Sequence, residues 1–553
     1  MGAPSEARFV DGRQLVTPWG VRPSGVVYRN LDVDGYYQAA LQRGQATVMS
    51  NGALLQDTMP FHGRAAKSSF YVNDPSIRIK GRTLDELIAW GNPAEGRWDN
   101  LPMEPERYER LLARVRGALS DARDLYVVDA ISGRTPASRL QVRVISTRPA
   151  SALFARNIFI EPTAAELRDF EPGWVILHAP EVEAAPDDGT NSAAFIISHV
   201  GDGVTIIGGT AYHGQIKKSI FCVQNFRLPL EGVLTMHAGA SEGDGGASAL
   251  HAGLSGTGKT TLSNTGYPVA DDQIVVEIHG PADMVVSNME GGQYAKTEHL
   301  RADKEPETFY AIGYGTTAEN IAVDAAGNPD YDDVSVSNNG RVGYPLAYVD
   351  SAKESGVTVA PRNITFLTAD GFGVLPPVAR LTVEGGKYHF AAGFTSKMPG
   401  TEDGVVEPKP TFSAFFGKPF MPLKPSWYMD LLAELVQVHG TQIWLVNTGW
   451  LGPLKAGRKR VDITVSKAII NAVRDERIDL SPDNFWYHPT FKLHVPKVVP
   501  GVASAMLDPR HAWDDEVAYA QTANRLATIF HEKMSAMPGI PPEVLAAGPH
   551  PQA

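Results

Sequence analysis

The sequence predicts an α/β protein of more than one domain, and three observations carry that prediction. A phosphate-binding loop, Gly253-Leu254-Ser255-Gly256-Thr257-Gly258-Lys259-Thr260, follows a short strand-like stretch and leads into a segment able to open a helix. The 53 glycines and 40 prolines are spread widely, as many short strands joined by tight turns require. The 553 residues exceed what one ordinary hydrophobic core supports, so two or three domains are expected.

The elements can be read in chain order. Residues 125–130 (Leu-Tyr-Val-Val-Asp-Ala) and 140–146 read as strands separated by a Gly-Arg-Thr-Pro turn, and 164–169 as a short helix. Further strands are expected at 204–209, 232–238 and 247–252, the last leading into the phosphate loop, with a helix opening at 259–263. The region 364–394 carries three short apolar segments, 364–367, 380–383 and 388–391, with turn residues between them, and reads as more strand. Residues 443–447 form a buried-strand pattern. Apolar residues recur at helical spacing in 466–474 and 517–534. No clean linker appears in the composition; the best boundary lies near residue 232, ahead of the strand that feeds the phosphate loop.

Composition narrows the function. Hydrophobic residues make up 43% and charged residues 20%, the proportions of a globular protein. The formal net charge of −12 argues against a nucleic-acid partner, which needs clustered Lys and Arg to release counterions. The single cysteine, Cys222, lies among Ile220, Phe221 and Val223 and reads as a buried small hydrophobe, leaving no intramolecular disulfide or thiolate metal cluster. The sequence shows no secretory signal, no myristoylation pattern and no run of 18 apolar residues, so the expectation is a cytoplasmic chain without a membrane span.

The chemistry starts at the phosphate loop. Its glycines let backbone N–H groups of Ser255, Gly256, Thr257, Gly258 and their neighbours turn toward phosphate oxygens; Lys259 brings charge to the β- and γ-phosphates, and Thr260, followed by Thr261, can hold Mg²⁺. A nucleoside triphosphate is the expected ligand. Three other segments bear on the phosphoryl acceptor, and each has a bland reading. Lys217 and Lys218, after Gly209-Thr210-Ala211-Tyr212-His213, would ordinarily be a solvated face. His237, closing the apolar segment Leu234-Thr235-Met236, would ordinarily be a satisfied core residue. Asp271-Asp272, shortly after the loop, is placed for a Walker-B-like hold on Mg²⁺.

Taken together with their spacing, these segments resemble the ATP-dependent phosphoenolpyruvate carboxykinase family. The resemblance runs from about residue 20 to the C-terminus. Besides Gly208-Gly209-Thr210, Tyr212, Lys217-Lys218 and the loop, it rests on Glu290-Gly291-Gly292-Gln293-Tyr294-Ala295-Lys296 and Asn339-Gly340-Arg341-Val342-Gly343-Tyr344-Pro345. Phe366-Leu367-Thr368-Ala369-Asp370, Pro410-Thr411-Phe412-Ser413, Asn447-Thr448-Gly449-Trp450 and Leu507-Asp508-Pro509-Arg510 complete it, all in family order.

The resemblance implies a two-lobed mixed α/β fold, with a substrate lobe at 1–232, a phosphate-loop-containing nucleotide lobe at 233–553, and the site in the cleft. It implies conversion of oxaloacetate and ATP to phosphoenolpyruvate, CO₂ and ADP, with Mn²⁺ on Lys218, His237 and Asp272 and Mg²⁺ on Thr260. Arg64 would grip the substrate carboxylate, Tyr212 would sit near CO₂, and Arg341 would bridge the phosphoryl group and the enolate. Lys217 would help depress the pKa of Lys218, since an amine ligates metal only when neutral. Lys296, Glu305, Arg460 and Ser466 would surround the nucleotide, and 393–411 would form a mobile lid, the plainer alternative being a static surface loop. A monomer or small homo-oligomer without nucleic-acid or membrane partners is expected.

The chain departs from the family pattern at three places. Gln273-Ile274-Val275-Val276 replaces Glu-His-Gly-Trp, Ala65-Ala66-Lys67-Ser68 replaces Ser-Pro-Lys-Asp, and Ser466 replaces a common threonine. Two rivals stay open at this stage: a phosphate-loop small-molecule or protein kinase, and a nucleotide-binding regulatory protein that has lost turnover.

Overall fold

A computed structural model describes residues 12–59, 69–91, 98–254, 256–259, 262, 265–280, 283–359, 361–397, 408–454 and 460–552. The chain is mixed α/β and divides into two compact units. The first comprises Met1–Gln224 and Met289–Ser351; the second comprises Asn225–Asn288 and Ala352–Ala553. The first crossing, inside the helix Gly214–Leu230, falls close to the boundary expected near 232. The segment Met289–Ser351, downstream of the phosphate loop in sequence, packs with the N-terminal part of the chain, so neither unit is continuous.

In the first unit an eight-stranded sheet runs in the order Val26–Arg29, Asp124–Ser132, Leu140–Ser146, Trp174–Ala179, Val204–Gly208, Phe195–His199, Ser69–Val72, Leu101–Met103. Its pairing is mixed; the strands Asp124–Ser132 and Leu140–Ser146 form an antiparallel hairpin, whereas Leu140–Ser146 pairs in parallel with Trp174–Ala179. The helix Pro105–Asp121 turns Tyr108, Leu111, Leu112, Val115 and Leu119 to one side, the three- and four-residue spacing of an apolar stripe, and buries them against Leu125, Val127, Leu177 and Ile206. The helix Pro149–Ile158 packs Leu153, Phe154 and Ile158 with Val128, Val142 and Ile176. It also contacts a five-stranded sheet, ordered Gly292–Lys296, Arg341–Pro345, Thr317–Glu319, Leu54–Gln56, Thr47–Val48. That second sheet carries Tyr294, Lys296, Glu319 and Arg341.

The second unit is built on an eleven-stranded sheet. At its centre Leu234–Glu242 pairs antiparallel with Ser248–Gly253, which pairs in parallel with Pro361–Thr368, which pairs in parallel with Gln442–Asn447. The central strands are buried on both faces along nearly their whole length, as in a sheet covered on both sides. The helix Ile463–Arg474 sets Ile469, Ile470 and Val473 against Leu262, Leu367 and Trp444. Among the described residues no helix is long and apolar enough to cross a membrane.

The strands expected at 125–130, 140–146, 204–209, 232–238, 247–252, 364–367 and 443–447 fall within or overlap observed strands, and the helices at 164–169, 466–474 and 517–534 coincide with observed helices. Segment 388–391 is a correction: it lies in the helix Val383–Ala392. Thr382 caps that helix by accepting from Gly385 N, and Gly393 ends it at φ +54°. Seven of its residues, from Gly385 to Ala392, are buried, and its polar pair Glu384–Lys387 lies ahead of the run Tyr-His-Phe-Ala, which taken alone imitates a strand.

Candidate functional site

Sheet register brings the second unit's candidate residues together. The strand Leu234–Glu242 pairs with Gln273–Gly280 from His237 outward and with Tyr267–Ala270 at Ala240, which pins the Asp271-Asp272 corner beside it. On its other edge Ala238 faces Ala252, so the strand Ser248–Gly253 delivers the phosphate loop to the same end. There His237 Nε2 lies 2.7 Å from Asp272 Oδ1, and Lys259 Nζ lies 3.1 Å from that oxygen and 3.3 Å from Nε2. All three side chains are largely buried.

The tautomer of His237 follows from its other contact. Nδ1 is 2.6 Å from the Phe416 carbonyl, which only accepts, so Nδ1 carries the proton and donates. A neutral imidazole would then aim the Nε2 lone pair at a carboxylate, and the pair calls for positive charge between them or alongside. Lys259 supplies an ammonium there, and Oδ1 of Asp271 is buried without a hydrogen-bond partner among the described residues. An imidazole nitrogen and carboxylates converging beside the phosphate loop form a donor set that suits a divalent cation. Among the described residues no three His, Cys, Asp or Glu side chains form a cluster of their own, so a site here needs another ligand type, such as an amine.

The phosphate loop is built as its sequence requires where it is described. Gly256 and Gly258 have φ of +83° and +88°, a backbone that a side chain would strain. Thr257 Oγ1 donates to the Leu254 carbonyl at 2.7 Å, and Lys259 and Leu262 are helical. Arg460 clamps the loop from outside: Nη2 donates to the Gly256 carbonyl at 2.6 Å and Nε to the Thr448 carbonyl at 2.6 Å, while Thr448 Oγ1 donates to the Thr257 carbonyl at 2.7 Å. Burial lowers the pKa of Arg460. Ser466 is buried in the helix Ile463–Arg474. Ser255, Thr260 and Thr261, together with Arg64 and the middle of the proposed lid, 398–407, lie outside the described residues; the lid's flanks pair as the strands Phe394–Lys397 and Lys409–Phe412.

The first unit holds the remaining candidates. Tyr212 Oη accepts from Asn339 Nδ2 at 3.1 Å, and Arg341 Nε donates to Asn339 Oδ1 at 3.1 Å, so one amide braces both. The Arg341 guanidinium lies 5.5 Å from the centre of the Tyr294 ring, whose hydroxyl donates to the buried Glu319. Desolvation pushes the Glu319 carboxyl up to about 7. Lys217 is buried, its Nζ 2.9 and 3.0 Å from the two oxygens of Glu290. Lys218, one residue on, is half-buried with Nζ 4.9 Å from the Phe221 ring centre. Lys296 pairs with Glu298, and Glu305 precedes the helix Pro306–Ala311. Cys222 is buried, with its thiol pushed up to about 12 by desolvation, as a small hydrophobe should be.

Sequence reading missed the roles of four participants. The Phe416 carbonyl and Glu319 each act through a partner distant in sequence, which no local pattern reveals, and Asn339, seen before only as part of the segment that carries Arg341, also holds the distant Tyr212. Gln273, noted only as a departure, stands directly opposite His237 in the sheet, buried and with Nε2 unpartnered among the described residues.

The family model described as phosphoenolpyruvate carboxykinase matches residues 25–505. The phosphoenolpyruvate carboxykinase (ATP) 2 of Moorella thermoacetica is 40% identical over 98% of each chain. The phosphoenolpyruvate carboxykinases (ATP) of Caldanaerobacter subterraneus subsp. tengcongensis and Mesorhizobium japonicum are 39% and 40% identical, covering 95% and 96% of this chain and 97% and 96% of their own. With a family model spanning most of its length and relatives aligned almost end to end, the chain belongs to the ATP-dependent phosphoenolpyruvate carboxykinase family.

Proposed function

We propose that this protein decarboxylates oxaloacetate and phosphorylates the product with ATP, giving phosphoenolpyruvate, CO₂ and ADP. The observation that carries the proposal, beside family membership, is the His237–Asp272–Lys259 cluster at the phosphate loop.

In this reading Lys218, His237 and Asp272 hold Mn²⁺ and Thr260 holds Mg²⁺. When bound, the cations supply Lewis-acid stabilisation of negative charge developing on the substrate oxygen and the triphosphate. The chain's own residues do the positioning. Arg64 takes the substrate carboxylate through its planar fork, for which Lys would be a poor substitute. Tyr212 lies near the departing CO₂. Cleavage of the carbon–carbon bond leaves its electron pair as an enolate, whose oxygen attacks the γ-phosphorus in line, so no general base is required. Arg341 bridges the enolate and the phosphoryl group, and Asn339, holding both Tyr212 and Arg341, keeps those two in fixed register. Lys259 neutralises the β- and γ-phosphates. Ser255, Gly256, Thr257, Gly258 and Thr261 cradle the triphosphate, Arg460 fixes the loop's outer carbonyls, and Lys296, Glu305 and Ser466 surround the nucleotide. Lys217 supports Lys218 from its pairing with Glu290. Segment 393–411 closes over the site to keep water from the enolate and from ATP. Tyr212, Lys217 and Lys218, together with Lys296, Glu305 and Arg341, belong to the first unit, and the phosphate loop, Arg460 and Ser466 to the second. A cytoplasmic location and a monomer or small homo-oligomer complete the proposal.

A coupled assay for oxaloacetate-dependent phosphoenolpyruvate formation, run with Mn²⁺ and comparing ATP with GTP, tests it. Turnover with ATP and little with GTP is expected; no phosphoenolpyruvate with either nucleotide would overturn the proposal.

A further inference from the structure

The residues behind His237 hold a backbone conformation that costs free energy. Phe415 and Phe416 are consecutive, buried, and left-handed, with φ of +59° and +56°. A bulky side chain at positive φ is a genuine outlier that carries strain, and it persists only where surrounding structure enforces it. Here the enforcement is aromatic. The Phe415 ring lies 5.0 Å from those of Phe390 and Tyr428, and the Phe416 ring 5.3 Å from that of Phe366. The backbone is tied as well: Phe416 N donates to Ser413 O at 2.9 Å and Gly417 N to Ala414 O at 3.1 Å.

What this strained turn achieves is specific. It aims the Phe416 carbonyl at Nδ1 of His237, 2.6 Å away. The next residue, Gly417, lies against the same imidazole: a Cβ there would fall 3.0 Å from His237 Cβ and 3.3 Å from both Cγ and Nδ1. Gly417 has φ of −154°, so its lack of a side chain answers to the imidazole and not to its own backbone.

We propose that the left-handed pair Phe415–Phe416 and the bare Cα of Gly417 form a positioning device that fixes the rotamer and tautomer of His237, presenting Nε2 outward for a metal ion. The proposal rests on the reading of His237 as a metal ligand. Partners behind a ligating histidine set its ring orientation and basicity, and their loss typically costs roughly 10–100-fold in metal affinity.

The test is Gly417→Ala, whose added methyl presses on the imidazole while leaving its own backbone conformation allowed. Mn²⁺ binding is measured by electron paramagnetic resonance on the metal-stripped protein, ATP binding by calorimetry, and the His237 ring proton by ¹⁵N-edited NMR without metal. The native protein should show a hydrogen-bonded, slowly exchanging Nδ1 proton. Gly417→Ala should lose it and bind Mn²⁺ roughly tenfold to a hundredfold more weakly, with ATP affinity within about twofold. Absence of that proton from the native spectrum, or native Mn²⁺ affinity in Gly417→Ala, would overturn the device. The NMR readout needs neither metal nor turnover, so its result stands apart from the fate of the proposed reaction. Should circular dichroism show Gly417→Ala unfolded, Phe416→Gly and Phe416→Val decide. Both remove the ring, but Gly accepts the left-handed backbone and Val resists it. Val must weaken Mn²⁺ binding more than Gly does, and equal losses would overturn the proposal.

Discussion

Lys217 and Glu290 form a buried ion pair, Nζ lying 2.9 Å from the nearer carboxylate oxygen, between the helix that carries Lys218 and the Glu-Gly-Gly turn before the strand Gly292–Lys296. The pairing revises the electrostatic role expected of Lys217. A lysine held against a carboxylate projects much less positive potential onto its neighbour than an isolated one, so Lys217 adds little to the field at Lys218. Removing one partner of a buried pair leaves the other uncompensated, at a cost of about 3–5 kcal/mol. Glu290→Ala should therefore lower unfolding free energy by that amount in urea titration, and Lys217→Met,Glu290→Leu together should lose markedly less than the sum of the single changes. Additive losses would show that the pair is not coupled.

Lys218→Met should abolish phosphoenolpyruvate formation while leaving ATP affinity within about threefold of native. In the proposed mechanism this change removes a ligand to the activating metal and leaves the phosphate loop, with its own lysine, intact. Single-turnover kinetics beside calorimetric ATP titration separate the two. Parallel loss of nucleotide affinity and turnover would count against the assignment of Lys218 to the metal.

Legibility in the sequence tracked the range of the interaction. The phosphate loop could be read at once because Gly253 to Thr260 are contiguous and each residue type has a local reason. Strands with a clear pattern, such as 140–146, could be read for the same cause. His237 and Asp272 lie 35 residues apart, and only family resemblance joined them before the sheet register showed their 2.7 Å contact. Glu319 and the Phe416 carbonyl had no local signature, because their significance lies in a partner that the fold supplies. Residues 388–391 misled for the opposite reason: the helix is buried over seven of its ten residues, and its polar pair Glu384–Lys387 ends before this run, so nothing within 388–391 announces a period. The place of Met289–Ser351 in the first unit was likewise hidden, since nothing in composition marks a chain that leaves a unit and returns to it.

Arg460→Ala tests whether the phosphate loop is held from behind. The guanidinium donates to the carbonyls of Gly256 and Thr448, both at 2.6 Å, and hydrogen bonds to charged groups contribute about 1.5–3 kcal/mol. Loosening the loop should weaken ATP binding roughly tenfold to a hundredfold by calorimetry, with little change in the KM for oxaloacetate at saturating ATP. Unchanged ATP affinity would mean the loop keeps its shape without the clamp.

Glu319 gives the fold a pH dependence of predictable sign. Desolvation raises its carboxyl from 4.5 to about 7, against hydrogen bonds from Tyr294, the His213 backbone and Thr58 that favour ionisation. Between those two values the folded protein holds a proton that the unfolded chain has released, so stability falls as pH rises from 4.5 to 7 and this contribution is flat above. The neighbouring His213 works in the opposite direction: burial holds its pKa down at about 3, so below about 6.5 the unfolded chain binds a proton that the fold does not, and this contribution to stability rises with pH up to that value. The Glu319 shift corresponds to about 3 kcal/mol across the window. The Glu319 contribution is read as a difference: in urea unfolding at intervals from pH 5 to 8, the native protein should lose stability relative to Glu319→Gln, which cannot titrate, as pH rises to about 7, while the buried histidines contribute equally to both proteins. The substitution keeps an acceptor for the Tyr294 hydroxyl, so the ring beneath Arg341 stays supported and the comparison isolates the charge. Parallel stability profiles for the two proteins would show that Glu319 titrates in the fold as it does in the unfolded chain.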